Sequence, residues 1–195
     1  GLLNNLSVDL TGTTVNTHVE LQYPEIQMVG AQMSTSLEFL DGLGLWAEVA
    51  MVMHDDLTLE LDVPFLDLNE IETTVPKGNF IKVAAGMDYT FTSWLYMNIQ
   101  YLRGFVDEFG KDALNNYIIA VTDVKFFDDV LLTRLSAIYH IDDQSAVLYP
   151  NIVATVWENT ELSVGAFVYQ GGQDSKFGSP ATGHNLVFIK GRYAF

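Results

Sequence analysis

From Ile26 onward the chain repeats one plan, in which segments of about 11 to 13 residues alternate apolar with small or polar side chains and then break. Phe80 to Phe91 is the clearest segment. Ile81, Val83, Ala85, Met87, Tyr89 and Phe91 share one parity, and Phe80, Lys82, Ala84, Gly86, Asp88 and Thr90 share the other. Successive side chains of a strand point to opposite faces, so the pattern predicts a strand with one greasy and one polar face. A helix would need apolar positions three and four apart, and these segments lack that period.

The same alternation recurs downstream. Leu95, Met97, Ile99 and Tyr101 oppose Tyr96, Asn98 and Gln100 within Ser93 to Phe105. In Ala146 to Val156, Ala146, Leu148, Ile152, Ala154 and Val156 oppose Ser145, Val147, Tyr149, Asn151 and Thr155. Leu162, Val164, Ala166 and Val168 then oppose Glu161, Ser163, Gly165 and Phe167. Leu114 to Phe126 and Val130 to Ile141 are less clean, since Asp123, Lys125, Arg134 and Ser136 share their parity with apolar residues. Ile26 to Leu37 and Leu43 to Met53 form a hairpin about Leu40-Asp41-Gly42, with Gln32, Ser34, Ser36 and Glu48 on the polar side. Upstream, Leu6 to Tyr23 supplies at least one further strand, interrupted near Gly12 and Pro24. Pro150 lies inside a strand pattern, where its missing N–H predicts a bulge or a weakened strand.

The breaks alternate in length. Tight turns are expected at Thr92, at Phe127-Asp128-Asp129 and at Trp157-Glu158-Asn159, and longer connections over His54 to Gly78, Val106 to Ala113 and Gly171 to Gly183. Asp142 to Gln144 is a short connection on the long-loop side. Leu57, Leu59, Leu61 and Val63 alternate with Thr58, Glu60 and Asp62, so the first long connection either extends its strand or folds back over the mouth. The whole reads as an all-β chain, an antiparallel up-and-down transmembrane β-barrel of about ten strands or part of a larger one. It is expected as a single domain over residues 1–195, with an ill-defined strand region over 1–25 and a long acidic outer loop over 54–78.

Composition sharpens this picture. Only 17% of the 195 residues are charged while 49% are hydrophobic, a balance that would leave a soluble surface short of polarity. No run approaches the roughly 18 apolar residues of a membrane helix, so any crossing must be made by strands. With 25 acidic against 9 basic residues the net charge is −16, which repels nucleic-acid phosphates. The absence of cysteine excludes disulfides and thiolate metal sites. Gly1 with no visible signal peptide is the start expected of a processed chain or of a fragment.

The ending His184 to Phe195, HNLVFIKGRYAF, resembles the closing strand of bacterial outer-membrane barrel proteins of the porin-like class. Val187, Ile189, Tyr193 and Phe195 share the outward parity, and Lys190 and Arg192 the inward one. The usual glycine stands five residues before the final Phe in that class, and Gly191 stands four before it. The resemblance spans Ile26 to Phe195 as a class pattern. It implies an outer-membrane location, contact with the lipid bilayer and lipopolysaccharide, and recognition of Tyr193 and Phe195 by the barrel assembly machinery. A homo-oligomer or a partner protein is compatible with it.

The strand charges fall mostly opposite the greasy parity. A Lys or Arg facing lipid at mid-depth costs about 2–4 kcal/mol, so Glu48, Lys82, Asp88, Asp123, Lys125, Arg134, Glu161, Lys190 and Arg192 are expected to face inward and line a pore or pair within a filled lumen. Trp94, Tyr96, Trp157, Tyr193 and Phe195 suit an interfacial aromatic girdle, and inward Tyr149 and Phe167 could instead form a stacking platform. The acids Asp55, Asp56, Glu60, Asp62, Asp67, Glu70 and Glu72 face one base, Lys77. They suggest a solvated acidic mouth that favours cations, and they lack the spacing of a calcium loop. His54 with Asp55 and Asp56, and His140 with Asp142 and Asp143, are weak divalent-ion pairs, and no metal or cofactor is assigned. No serine is set beside a histidine with an orienting group, so no catalytic role is assigned either.

Two functions compete on these grounds. One is passive diffusion of small hydrophilic solutes through a porin-like channel. The other is a non-conducting structural or docking barrel that binds or sheathes a partner protein. A soluble ligand-binding barrel with its greasy face inward would need more charge on the opposite face than Ala84, Gly86, Ser163 and Gly165 provide.

Overall fold

The computed structural model describes the backbone of residues 2–11, 14–22, 25–63 and 68–194, with side chains over 25–56 and 74–194. The fold is all-β, with 67% of the chain in strands. The strands are β1 (Leu2–Thr11), β2 (Thr14–Gln22), β3 (Ile26–Leu37), β4 (Leu43–His54), β5 (Leu57–Val63), β6 (Leu68–Val75), β7 (Gly78–Thr92), β8 (Leu95–Arg103), β9 (Asn116–Phe126), β10 (Leu131–His140), β11 (Ser145–Trp157), β12 (Thr160–Gln170) and β13 (Leu186–Tyr193). Nine of them form one sheet in the order β13-β12-β11-β10-β9-β8-β7-β4-β3, the up-and-down arrangement of a barrel wall. Its edge strands β3 and β13 each have one neighbour among the described residues, so closure is not detected.

By internal contacts the chain divides into two compact units, one of residues 1–30, 50–81 and 110–112, the other of residues 31–49, 82–109 and 113–195. The first holds a four-stranded sheet of order β2-β1-β5-β6. β1 and β2 form the hairpin expected upstream, and β5 and β6 form another within the acidic segment 54–78. Asn5 to Ser7 pair in parallel with Glu60 to Asp62, so this segment contributes to a second sheet that also takes in the N-terminal strands. Alternation could not reveal that partner, because it specifies a face and not the strand beside it.

The second unit carries the long antiparallel ladders. Register runs without a break from β8 through β9 and β10 to β11, so that residues of one parity line up in rows across the strands. One row on the polar face is Tyr96, Asp123, Arg134, Asn151, Gly165 and Phe188; the neighbouring row on the apolar face is Leu95, Val124, Thr133, Ile152, Val164 and Ile189. The apolar row is the open one: Ile152, Val164 and Ile189 are 48%, 49% and 80% exposed, while Asp123 and Gly165 on the polar row are buried. In water this inverts the usual saving of about 1.5–3 kcal/mol for burying each large aliphatic side chain.

Pro150 departs from the expected bulge. Pairing between β11 and β12 lapses at Tyr149 and Pro150 and resumes at Asn151 opposite Gly165 in the same register, so no bulge forms there. The missing N–H removes ladder bonds locally, while Pro150 keeps its place opposite Leu135 on the other side. The irregularity of this hairpin lies instead between Thr155 and Trp157, beside the Glu158-Asn159 turn.

The tight turns fall where the breaks predict them. Asp41 and Gly42 turn at φ 51° and 83° after the short 3-10 segment Glu38–Leu40. Phe127, Asp128 and Asp129 all hold positive φ, a conformation that Asp tolerates better than most side chains. Two glycines on the polar face serve close packing. The Trp46 ring lies over Gly86, and the Phe188 ring over Gly165, where a built Cβ would meet the Phe188 Cζ at 2.5 Å and the Asn151 Oδ1 at 3.1 Å.

Gly165→Val should therefore destabilise the protein by about 1–3 kcal/mol through overpacking, and Phe188→Ala in the same chain should recover most of that loss. Reversible urea unfolding of the single and double variants measures both quantities.

Candidate functional site

Two groups of side chains on the polar face carry chemistry, one at the long-loop end of the strands and one midway along them. The end group starts from a cross-strand row: Tyr117 of β9 faces His140 of β10, which faces Ser145 of β11. Tyr117 and Ser145 are fully buried, and the Tyr117 and His140 rings stack with centroids 4.7 Å apart. The segment between β12 and β13 folds onto this row and places Lys176 and Phe177 against it. Lys176 Nζ lies 2.9 Å from Glu108 of the β8–β9 connection, 3.3 Å from Asp107, and just over 5 Å from the Phe105 and Tyr117 ring centres.

The carboxylates, hydroxyls and ammonium brought under this loop are hydrogen-bonded to one another and to the backbone. The Tyr117 hydroxyl donates to Glu108 Oε1, and Glu108 also accepts from the backbone N–H groups of Phe105 and Asn115 and from the Asn115 amide. Asp143 accepts from the Lys176 N–H at 2.6 Å and from the Ser145 hydroxyl and N–H. The Ser145 hydroxyl oxygen in turn accepts the N–H of Phe177 at 3.2 Å. Burial pushes the Glu108 carboxyl up, but the donors Tyr117, Asn115 and Lys176 outweigh it and bring it down to about 2. Burial likewise opposes ionisation of Asp143, and the Lys176 N–H, the Ser145 hydroxyl, His140 and the Ser145 N–H carry it down to about 2. Burial lowers Lys176, and Tyr117 and Glu108 outweigh it, so its ammonium is held above the ordinary range.

His140 Nδ1 sits 2.6 Å from Asp143 Oδ1, a charge contact that is not aligned as a hydrogen bond. Serine, carboxylate and imidazole therefore meet, but the serine proton points at the carboxylate and not at the imidazole. This order ties a loop down and gives no general base to a nucleophile. Asp142 is occupied by the Asn116 backbone and side-chain amides. In the first unit, Asp55 and Asp56 bind the Lys77 ammonium and N–H at 2.5 and 2.6 Å, and His54 Nδ1 donates to the Asp55 carbonyl. Lys77 holds Asp55 below the usual carboxylate range by a hydrogen bond and by charge. Among the described residues no three His, Asp or Glu side chains form a metal-binding group.

The midway group is the Asp123–Arg134 pair, and the other charges expected on the inward parity are spread along the strands and their ends. Arg134 forks onto Asp123 with Nε–Oδ1 and Nη2–Oδ2 distances of 2.6 and 2.5 Å, across directly paired positions. Glu161 and Arg192 are also directly opposed, 3.5 Å apart. Lys190 lies opposite Ser163, and Asp88 stands over Gly44. Lys82 Nζ donates to the Phe105 carbonyl, and Lys125 bonds to Asp129 in the next turn. Glu48 is exposed, Tyr193 ends β13, and Phe195 lies outside the described residues. A cleft of about 610 Å³ is lined mainly by apolar residues, among them Phe39, Met87, Phe91 and Met97, and Asp88 is the one of these charged groups that borders it.

The end group was not legible as a unit. Glu108, Tyr117, His140 and Lys176 are spread over two connections and two strands, and the chain marks Lys176-Phe177 only as a base and an aromatic in a polar loop. Both key carboxylates ionise at lower pH in the folded state than when free. The stabilisation they give is complete above their ordinary values of 4.5 and 3.8 and drains away as pH falls toward about 2. Amide exchange over 175–179, corrected for intrinsic rate, should stay slow at pH 6 and accelerate progressively between pH 4.5 and 2. Glu108→Gln should loosen the same amides at pH 7, by about 2–3 kcal/mol for loss of a charged hydrogen-bond acceptor.

With this geometry in place, comparison with known proteins adds no name: no family model, no curated protein and no solved structure matches the chain.

Proposed function

We propose that the protein is an outer-membrane, porin-like channel for passive diffusion of small hydrophilic solutes. The observation that carries this reading is the inverted sheet, whose apolar face holds the exposed Ile152, Val164 and Ile189 and whose polar face holds the buried Asp123 paired with Arg134. A lipid environment makes that arrangement favourable, because aliphatic side chains then meet hydrocarbon and charges are kept out of it. The acids of the 54–78 segment bias the mouth toward cations. Lipid and lipopolysaccharide are the partners this implies, together with the assembly machinery that would read the β13 end at Tyr193 and Phe195. The role is non-enzymatic.

The second reading is a non-conducting barrel that docks or sheathes a partner protein. The loop carrying Lys176 and Phe177 favours it, because it covers the polar face at one end, over the row of Tyr117, His140 and Ser145. Planar-bilayer recording separates the two: stepwise openings with cation preference are expected for the channel, and silence for the docking barrel. Val164→Arg should also destabilise the protein in bilayers by about 2–4 kcal/mol, and Ser163→Arg by much less, since only the first sets a cation in lipid. Equal losses in reversible unfolding would mean that the two faces had been exchanged.

A further inference from the structure

We propose that the turns at Ser93-Trp94 and Phe127-Asp128-Asp129 together hold the headgroup of a phosphatidylethanolamine molecule. The proposal rests on the bilayer placement that the channel reading requires, and it names one lipid for one place at the tight-turn end of the sheet. The two turns lie side by side: the Lys125 N–H donates to the Trp94 carbonyl at 2.9 Å, and Leu95 pairs with Val124. Between them is a hollow of about 680 Å³, bounded by Ser93, Trp94 and residues 125–129.

Its wall is partly aromatic and partly charged. Trp94 and Phe127 are 50% and 76% exposed, and Phe126 is open as well. Phe127, Asp128 and Asp129 hold φ of 55°, 51° and 68°. A bulky side chain seldom takes that left-handed conformation, and an exposed ring gains little packing to offset it, so the turn points to a use for what it displays. It displays two carboxylates beside Lys125. Lys125 Nζ meets Asp129 at 3.3 Å, which occupies one of its three N–H donors, and both side chains stay open to the outside. Asp128 is exposed and pairs with nothing among the described residues.

A ligand for this hollow must bring a cation for Asp128, an anion for Lys125 and an apolar stem for the rings. Phosphoethanolamine on a diacyl tail has all three: an ammonium with N–H donors, a phosphate close beside it, and hydrocarbon that continues along Trp94 and Phe126. Two carboxylates against one ammonium, in a chain of net charge −16, disfavour an anionic headgroup such as that of phosphatidylglycerol. Phosphatidylcholine carries both charges but has no N–H to donate to Asp128. An aromatic belt alone sits at the headgroup level without choosing among these lipids. The turn at Trp157-Glu158-Asn159 supplies that comparison within the same protein, since its indole is more exposed than that of Trp94 and the turn itself contains no base.

The test is quenching of indole fluorescence in phosphatidylcholine liposomes that hold the intact protein and a fixed minor share of brominated lipid, either phosphatidylethanolamine or phosphatidylglycerol. Trp157→Phe leaves Trp94 to report and Trp94→Phe leaves Trp157, while Trp46, over Gly86 on the polar face, is common to both. Brominated phosphatidylethanolamine is expected to quench Trp94 severalfold more than brominated phosphatidylglycerol does, and Trp157 should show no preference. Lys125→Gln with Asp128→Asn should abolish the preference at Trp94. Should that double variant fail to insert, the contrast between Trp94 and Trp157 decides alone. Equal quenching of Trp94 by the two lipids, a preference that Trp157 shares, or one that survives the double variant overturns the site and leaves the bilayer placement standing. No quenching of either indole by either lipid overturns that placement, and the site with it.

Discussion

The strands from β8 to β12 are paired on both sides in antiparallel ladders, apart from the lapse at Tyr149 and Pro150, so what remains to be decided is where each face can be placed. Because side chains alternate strictly, a single register fixes both faces at once, and a slip of one residue would exchange them throughout. In this protein the register turns Ile152, Val164 and Ile189 outward from cover and holds Asp123, Gly165 and Asn151 under it. The other features follow from that choice. Two pairs of charges on the polar side sit directly opposite each other, Arg134 with Asp123 and Arg192 with Glu161. Small residues on the same side leave room for rings, as Gly86 does for Trp46 and Gly165 for Phe188.

The loop between β12 and β13 extends the same logic to one end of the sheet. Burying Glu108, Asp143 and Lys176 would be unfavourable for any of them alone, and each is supplied with charge-assisted or multiple hydrogen bonds that outweigh the burial. Because Asp143 holds the Lys176 backbone while Glu108 holds its ammonium, the loop is fixed at two points that come from different connections. The Tyr117-His140-Ser145 row beneath is thereby sealed on its polar side.

Much of the nine-stranded sheet was legible in the sequence, because period-two alternation is a local signal and survives in each strand separately. The hairpin about Leu40-Asp41-Gly42 and the turn at Phe127-Asp128-Asp129 were legible for a similar reason, since turn chemistry is written in adjacent residues. The pairing of β1 with β5 was not, because Asn5 and Glu60 are joined by no local pattern. At Pro150 the weakened strand was the outcome and the bulge was not, because a missing donor need not shift a register that Leu135 maintains on the other side. Of the candidate charges, Asp123 and Arg134 were both expected on the inward parity, but that they pair depends on the register between β9 and β10, which the alternation does not give. The contact of Lys176 with Glu108 joins two long loops, and nothing in either loop names the other.

Everything proposed for this protein requires the apolar parity of its strands to meet hydrocarbon. Nitroxide labels placed singly along β12, from Leu162 to Val168, in protein reconstituted into liposomes report this through collision with oxygen, which concentrates in lipid, and with a water-soluble nickel chelate. Oxygen maxima are expected at 162, 164, 166 and 168 and nickel maxima at 163, 165 and 167, in phase with the exposure of Leu162 and Val164. Oxygen maxima on the odd positions, or no period of two in either collision rate, would show that these strands do not face lipid in this way.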